Sequence, residues 1–180
     1  MIHSKAIIYE KYGTPLFVDE IKVGDPKPYE VVVKMYASGI CGSQLMNLNN
    51  SKAANPEILG HEGTGVVMKA GKNVAHVQEG DQVLVSWMPY GADENTEYLE
   101  WCESVEWKGK NLKTLIFTWA EHAIMHSQFV SILDSKIDKY TASIIGCAGI
   151  AGYGTVMSTV KIQPGQSTVV WGVGGLGVLA

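Results

Sequence analysis

Cys41, the pair His61-Glu62 and Cys147 lie in three separate glycine-flanked segments of a 180-residue chain. Together they offer two thiolates, an imidazole and a carboxylate to one metal ion. A fold that uses them jointly must bring three remote stretches of chain to one point. Two Cys and one His as protein ligands, with a fourth position open to water or substrate, is the arrangement of a catalytic zinc rather than a closed structural one. Singly, each residue has an ordinary role: a buried Cys packs as a small hydrophobe, and a His beside a Glu is often a surface ion pair. The combination is what singles them out.

The length accommodates one domain plus part of another, and 46% hydrophobic with 18% charged residues describes a globular chain. A net charge of -4 without a Lys/Arg cluster leaves no footprint for nucleic acid or a membrane surface. The stretch Met1 to Ile8 is too short and too soon interrupted for a signal peptide, and no apolar run approaches a membrane span. A cytoplasmic location is the expectation. Three Cys, an odd number, point to metal or thiol chemistry rather than to a disulfide framework.

Short β-type runs at Lys5 to Tyr9, Leu16 to Val23 and Glu30 to Tyr36 predict strands of an antiparallel sheet or barrel. Cys41 to about Asn50 reads as a short helix. Gly65 to Met68 and Gln82 to Trp87 return to strand character, with a turn at Gly80-Asp81. Between Asp93 and Glu106 the side chains Tyr98, Trp101, Cys102 and Val105 fall at i, i+3, i+4 and i+7. That spacing predicts an amphipathic helix with acidic residues on its wet face and Cys102 as a packed thiol. Tyr140 to Val160 reads as a glycine-interrupted helix, and Ser167 to Trp171 as an apolar strand of a parallel sheet. The change of character places a domain boundary near residues 137 and 138.

Gly172-Val173-Gly174-Gly175-Leu176-Gly177 follows that strand directly. A strand leading into G-x-G-x-x-G, with an apolar helix start behind it, is the context of a dinucleotide-binding loop, whose backbone N–H groups approach a pyrophosphate. A plain glycine turn is the alternative.

The segments Ser38 to Ser43, Gly60 to Gly65 and Ile145 to Gly149 resemble, in order and separation, the zinc-ligand segments of the medium-chain alcohol dehydrogenases. The glycine motif also resembles theirs, 25 residues after Cys147. This resemblance implies a mostly β, GroES-like catalytic domain over residues 1–137, followed by the beginning of an α/β Rossmann domain over residues 138–180. It implies Cys41, His61 and Cys147 as ligands of one catalytic zinc, with Glu62 able to take the fourth site. It further implies a proton relay through Ser43 and hydride exchange between an alcohol or aldehyde and NAD or NADP. Gly172, Gly174, Gly175, Leu176 and Gly177 would bind the cofactor, and Trp87 would wall the substrate pocket; a homo-oligomer is left open.

Four departures from that family are visible. Cys102 stands alone where many members place four Cys for a structural zinc, so no second zinc is expected. Gln44 replaces an Asp that supports the metal-binding His, Met46 replaces a relay His, and Gly42 stands where some members have an Arg on the pyrophosphate. Members run to about twice this length, so the chain is expected to be an N-terminal portion of a longer enzyme or a truncated form of one, inactive alone, with Ser167 to Trp171 lacking strand partners. Two other readings remain: a zinc-free quinone or enoyl reductase of the same superfamily, and a non-catalytic zinc-binding module.

Overall fold

Ser4, Ala6 and Ile8 point inward from one edge of the molecule and alternate with exposed or half-exposed neighbours, the period-two pattern of a strand with one dry face. In the computed structural model, which describes residues 1–52, 56–90, 99 and 101–180, this strand is β1 (Ile2–Tyr9). It pairs antiparallel with β2 (Phe17–Val23), from Ile2 opposite Val23 to Ile8 opposite Phe17. β3 (Glu30–Ser38) follows, then helix α1 (Gly42–Leu48), β4 (Glu57–Ile58), β5 (Gly63–Ala70), β6 (Gln82–Val85), β7 (Cys102–Trp107), β8 (Lys110–Thr114), β9 (His122–His126) and β10 (Val130–Ile132).

Two five-stranded sheets result, in the orders β4-β1-β2-β7-β8 and β10-β6-β5-β3-β9. The segment leading into β9 stitches them together: Ala120 bridges to Ala6, Ile7 N–H donates to Trp119 O and Met35 N–H to Glu121 O, both at 2.9 Å. Ile8, Ile21, Val23 and Val105 from the first sheet meet Val31, Val67, Val83 and Ile124 from the second in one buried cluster. Each such side chain stabilises the fold by about 1.5–3 kcal/mol on leaving water. The mostly β architecture expected from the sequence is the one observed. Strands β1, β2, β3, β5 and β6 and helix α1 stand within a few residues of their expected places, although β6 ends at Val85 rather than Trp87.

Three expectations require correction. Part of the helix expected between Asp93 and Glu106 lies outside the described residues, and the remainder is strand β7, paired to β2 through Val23 and Val105 and to β8. A register irregularity between Cys102 and Val105 lets both residues face inward despite their odd spacing, which imitated a helical period. Cys102 is nevertheless the packed thiol expected, fully buried.

Ser167 to Trp171 forms no strand, and Trp171 is 91% exposed. Apolar β-type sequence becomes strand only when a neighbour accepts its backbone hydrogen bonds, and among the described residues none lies beside it.

Third, the continuous helical stretch Thr141–Val160 has 20 residues and a mean hydropathy of 1.3, long and apolar enough by those two measures to cross a membrane. Its hydropathy is spread over Ala, Gly, Ile and Val among Ser and Thr, so no block of large apolar residues announces it. The stretch is a succession of tight 3-10 turns at Thr141–Ile144, π-helical turns at Ile145–Gly149 and Thr155–Val160, and regular helix α2 at Ile150–Gly154. A short helix, α3 (Gly175–Val178), ends the chain.

Ile124 is fully buried opposite Val32 on β9, the outer strand of the second sheet. Replacing it with Ala is expected to cost about 2–5 kcal/mol, whereas Val18→Ala on the exposed face of β2 should stay within about 0.5 kcal/mol. Urea denaturation followed by far-ultraviolet circular dichroism measures both.

Candidate metal centre

Cys41 sits where β3 ends and α1 begins. Its backbone is still extended (φ -98, ψ 153), so its side chain stands at the mouth of the helix rather than along its flank. Buried Gln44 closes this corner, its amide oxygen accepting the Cys41 backbone N–H at 2.7 Å. The far end of α1 is tied to the first sheet, with Tyr9 Oη donating to Leu48 O at 3.1 Å and Asn47 Nδ2 to Glu57 Oε1 at 2.5 Å.

His61 and Glu62 occupy the short link between Gly60 and β5. Gly60 has φ +95, and a Cβ there would run into Thr118 Oγ1 and fall 2.6 Å from Trp119 Cδ1, so only glycine permits this turn. The link is held from below. Ser38 Oγ donates to Glu62 O at 2.9 Å while sharing a 2.7 Å hydrogen bond with Thr118 Oγ1.

Cys147 arrives from the other end of the chain on the π-helical turn Ile145–Gly149. That turn is docked onto β6. Gly146 lies so close to Val85 O and Ser86 Cα that no Cβ would fit, and Ser86 Oγ donates to Gly146 O at 2.9 Å while accepting Met88 N–H at 3.0 Å. Upstream, Thr64 Oγ1 donates to Lys139 O at 2.7 Å, and the Lys139 ammonium stands 3.9 Å from the Tyr36 ring centroid.

These three positionings bring one ligand atom each from Cys41, His61 and Cys147 within 4.8 Å of one another. The two sulfurs are 3.6 Å apart and both cysteines are free. Two Zn–S bonds of about 2.3 Å at a tetrahedral angle place sulfurs about 3.8 Å apart, whereas a disulfide needs about 2.05 Å. The separation therefore fits a shared metal and not a covalent bridge. His61 Nδ1 lies 2.8 Å from Gln44 Nε2, and His61 Nε2 is buried with no hydrogen-bond partner among the described residues.

Electrostatics divides the two thiols. Burial pushes Cys41 up, but hydrogen bonds from the Ser43 backbone and hydroxyl and from the Cys147 thiol outweigh it, so Cys41 lies below the ordinary thiol value. Cys147 is pushed up to about 12, by burial first and then by its bond to Cys41 and the charges of Cys41 and Glu62. Half-burial lowers His61, which favours the neutral imidazole a metal requires. Burial raises Glu62 despite the backbone N–H bonds of Ala148 and Cys147 to its carboxylate.

Glu62 does not join the ligand trio: its carboxylate is engaged by the Cys147 turn, and Oε2 has no partner. The exposed Ser43 hydroxyl bonds to the Cys41 sulfur. Met46 is exposed and Gly42 opens onto free space. Trp87, 47% exposed, follows the Ser86 that anchors the Cys147 turn. In the glycine loop, Gly172 has φ +94, Gly177 backs onto Gly172 O, and Gly174 precedes α3, which packs on α2 where a Cβ on Gly152 would fall 2.6 Å from Leu176 O. Ser38, Thr118 and Ser86, which hold the site together, carried no signal in the sequence because each acts through hydrogen bonds to groups remote along the chain. An apolar groove beside β1 and β3, lined by Ala6, Val18, Met35 and Trp119, contains none of the metal-site residues.

Residues 27–135 match the model of the alcohol dehydrogenase GroES-like domain. The chain is 34% identical over 200 aligned positions to alcohol dehydrogenase 6 of Peromyscus maniculatus, with 99% of this chain and 53% of that protein covered. It is also 34% identical to an alcohol dehydrogenase of Moraxella sp. (strain TAE123), covering 98% and 53%. Its fold matches the crystal structure of an alcohol dehydrogenase zinc-binding domain protein from Burkholderia ambifaria with a TM-score of 0.87 at 22% identity, over 98% of this chain and 54% of that one. The chain spans about half the length of the curated relatives it matches. With Cys41 and His61 of the candidate metal cluster inside the matched segment and Cys147 beyond it, the chain belongs to the alcohol dehydrogenase family, through its GroES-like domain.

Proposed function

We propose that this chain carries the metal-binding part of a zinc-dependent oxidoreductase that exchanges hydride between an alcohol or aldehyde and NAD or NADP. The observation that carries the reading is the convergence of Cys41, His61 and Cys147 with their sulfurs 3.6 Å apart and His61 Nε2 left unpartnered. In this reading residues 1–137 are the zinc-binding domain and residues 138–180 begin the nucleotide-binding one. A zinc ion there supplies Lewis-acid polarisation of an alcohol or carbonyl oxygen.

The residues of the chain have distinct tasks. Cys41, His61 and Cys147 hold the ion. Ser43, exposed beside Cys41, passes the alcohol proton outward to solvent, since Met46 offers no imidazole to continue a relay. Glu62, buried with one free oxygen behind the Cys147 turn, is the reserve ligand for the fourth position. Gly172, Gly174, Gly175, Leu176 and Gly177 cradle the cofactor pyrophosphate, and Trp87 narrows the pocket toward small or slender alcohols. Three free thiols suit a reducing, cytoplasmic setting. The exposed Val169 and Trp171 offer an edge for self-association.

Zinc content after metal-replete expression tests the foundation: one equivalent per chain is expected, and Cys147→Ser should weaken binding by at least about 100-fold, within the tuning range of metal sites. A chain without zinc overturns the reading in favour of the zinc-free reductases. Fusing these 180 residues to the second half of a relative should give oxidation of primary or secondary alcohols with one of the two cofactors. If such a fusion holds zinc yet oxidises none of a broad panel, the non-catalytic module is the better description.

Zinc affinity should also depend on pH with a definite sign. Cys147 is raised to about 12 and so is protonated near neutrality. Each bound ion displaces its proton, and acid competes. Affinity is expected to fall about tenfold for each unit of acidification between pH 8 and 6 from this thiol alone. Chelator competition measures it, and a flat profile would contradict the thiol assignment.

A further inference from the structure

Gln44 is 4% exposed, and both ends of its amide are in use. Oε1 accepts the Cys41 backbone N–H at 2.7 Å, and Nε2 lies 2.8 Å from His61 Nδ1. A backbone N–H can only donate, so the amide oxygen must face Cys41 and the NH2 must face the imidazole. Nδ1 is then the acceptor, and the single proton of a neutral imidazole sits on Nε2. That is the nitrogen left without a partner, the one available to a metal.

A coordinating nitrogen carries no proton. For His61 Nε2 to ligate, its proton must leave to solvent and another must be taken up at Nδ1. Nδ1–H then meets the Gln44 NH2, two donors head to head. Turning the amide over relieves that clash but sets NH2 against the Cys41 N–H. One oxygen cannot serve two donors placed on opposite ends of one amide. A carboxylate of the same length would accept from both at once.

We propose that Gln44 is a positioning residue that latches His61 in its Nε2-protonated tautomer, so that zinc entry breaks either the Gln44–His61 or the Gln44–Cys41 hydrogen bond and the ion is held weakly and released readily. The inference rests on the zinc reading of the Cys41, His61 and Cys147 trio. It concerns a conflict that exists before any metal arrives, and can therefore be tested separately.

The experiment uses the 180-residue chain and Gln44→Glu, which keeps the side-chain length and supplies two acceptors. Nitrogen-15 spectra of the metal-free wild type at pH 8 should show His61 protonated at Nε2, and those of the variant should show Nδ1 protonated. Zinc affinity by chelator competition should rise at least about 10-fold in the variant, as expected for a supporting group that now matches its ligand. On zinc loading the wild type should show either faster amide exchange at Cys41 or a shifted Gln44 side-chain NH2 resonance, according to which bond gives way, whereas Cys41 exchange in the variant should stay unchanged, a difference that added negative charge alone would not produce. A wild-type His61 protonated at Nδ1 without metal overturns the latch, as does a Gln44→Glu affinity within twofold of wild type. If neither chain binds zinc, the zinc reading fails, while the tautomer in the metal-free spectra still decides the role of Gln44.

Discussion

The site depends on one backbone contact. Gly146 lies against the carbonyl of Val85 with no room for a side chain, and Ser86, the residue just after β6, clamps the Gly146 carbonyl. Cys41 and His61 are supplied by neighbouring segments of the β domain and would be near each other in any fold that pairs β3 with β5. Cys147 has no such local reason to be there. It is delivered because the turn bearing it is seated on the end of β6, and every packed valine that keeps β6 and β5 straight contributes indirectly to where its sulfur stands. The candidate metal centre is thus a property of the end of β6 as much as of Cys41, His61 and Cys147 themselves.

That dependence explains what was legible in the sequence. Strands with one dry face and a tight turn after them, such as β1 and β2, announce themselves by alternation and by Pro or Gly. The four residues of the metal region stood out because Cys, His and Glu between glycines are chemically rare. β8 was not visible, since Lys110, Asn111 and Lys113 face water and only Leu112 and Thr114 are buried. β7 was misread because a bulge restored inward facing at a helical spacing. The groups that set the geometry, Ser38, Thr118 and Ser86, were silent for a different reason: a hydroxyl paired with a carbonyl or another hydroxyl far along the chain leaves no local pattern at all.

The role of Gln44 was legible only in part. From sequence, an amide in place of a carboxylate is a loss of charge beside the imidazole. In the fold it is also a loss of an acceptor, because the oxygen that might have faced His61 is committed to the Cys41 N–H. The distinction matters physically. A missing charge weakens a ligand by degree, whereas a donor opposed to a donor costs on the order of 1–3 kcal/mol for an unsatisfied buried group.

The same reasoning about unmet partners applies at the other end of the chain. Val169 and Trp171 are apolar and exposed, and the backbone from Ser167 to Trp171 has no strand beside it. Yet the glycine turn after it is already formed: Gly172 takes a left-handed φ, Gly177 packs on its carbonyl, and α3 rests on α2. Turn and helix geometry are local, needing only glycine and a nearby helix to lean on. Strand geometry is not, because half of its hydrogen bonds belong to neighbours. The glycine turn can therefore take shape without a strand partner beside it, whereas the Cys41, His61 and Cys147 cluster depends on the turn that docks on the end of β6.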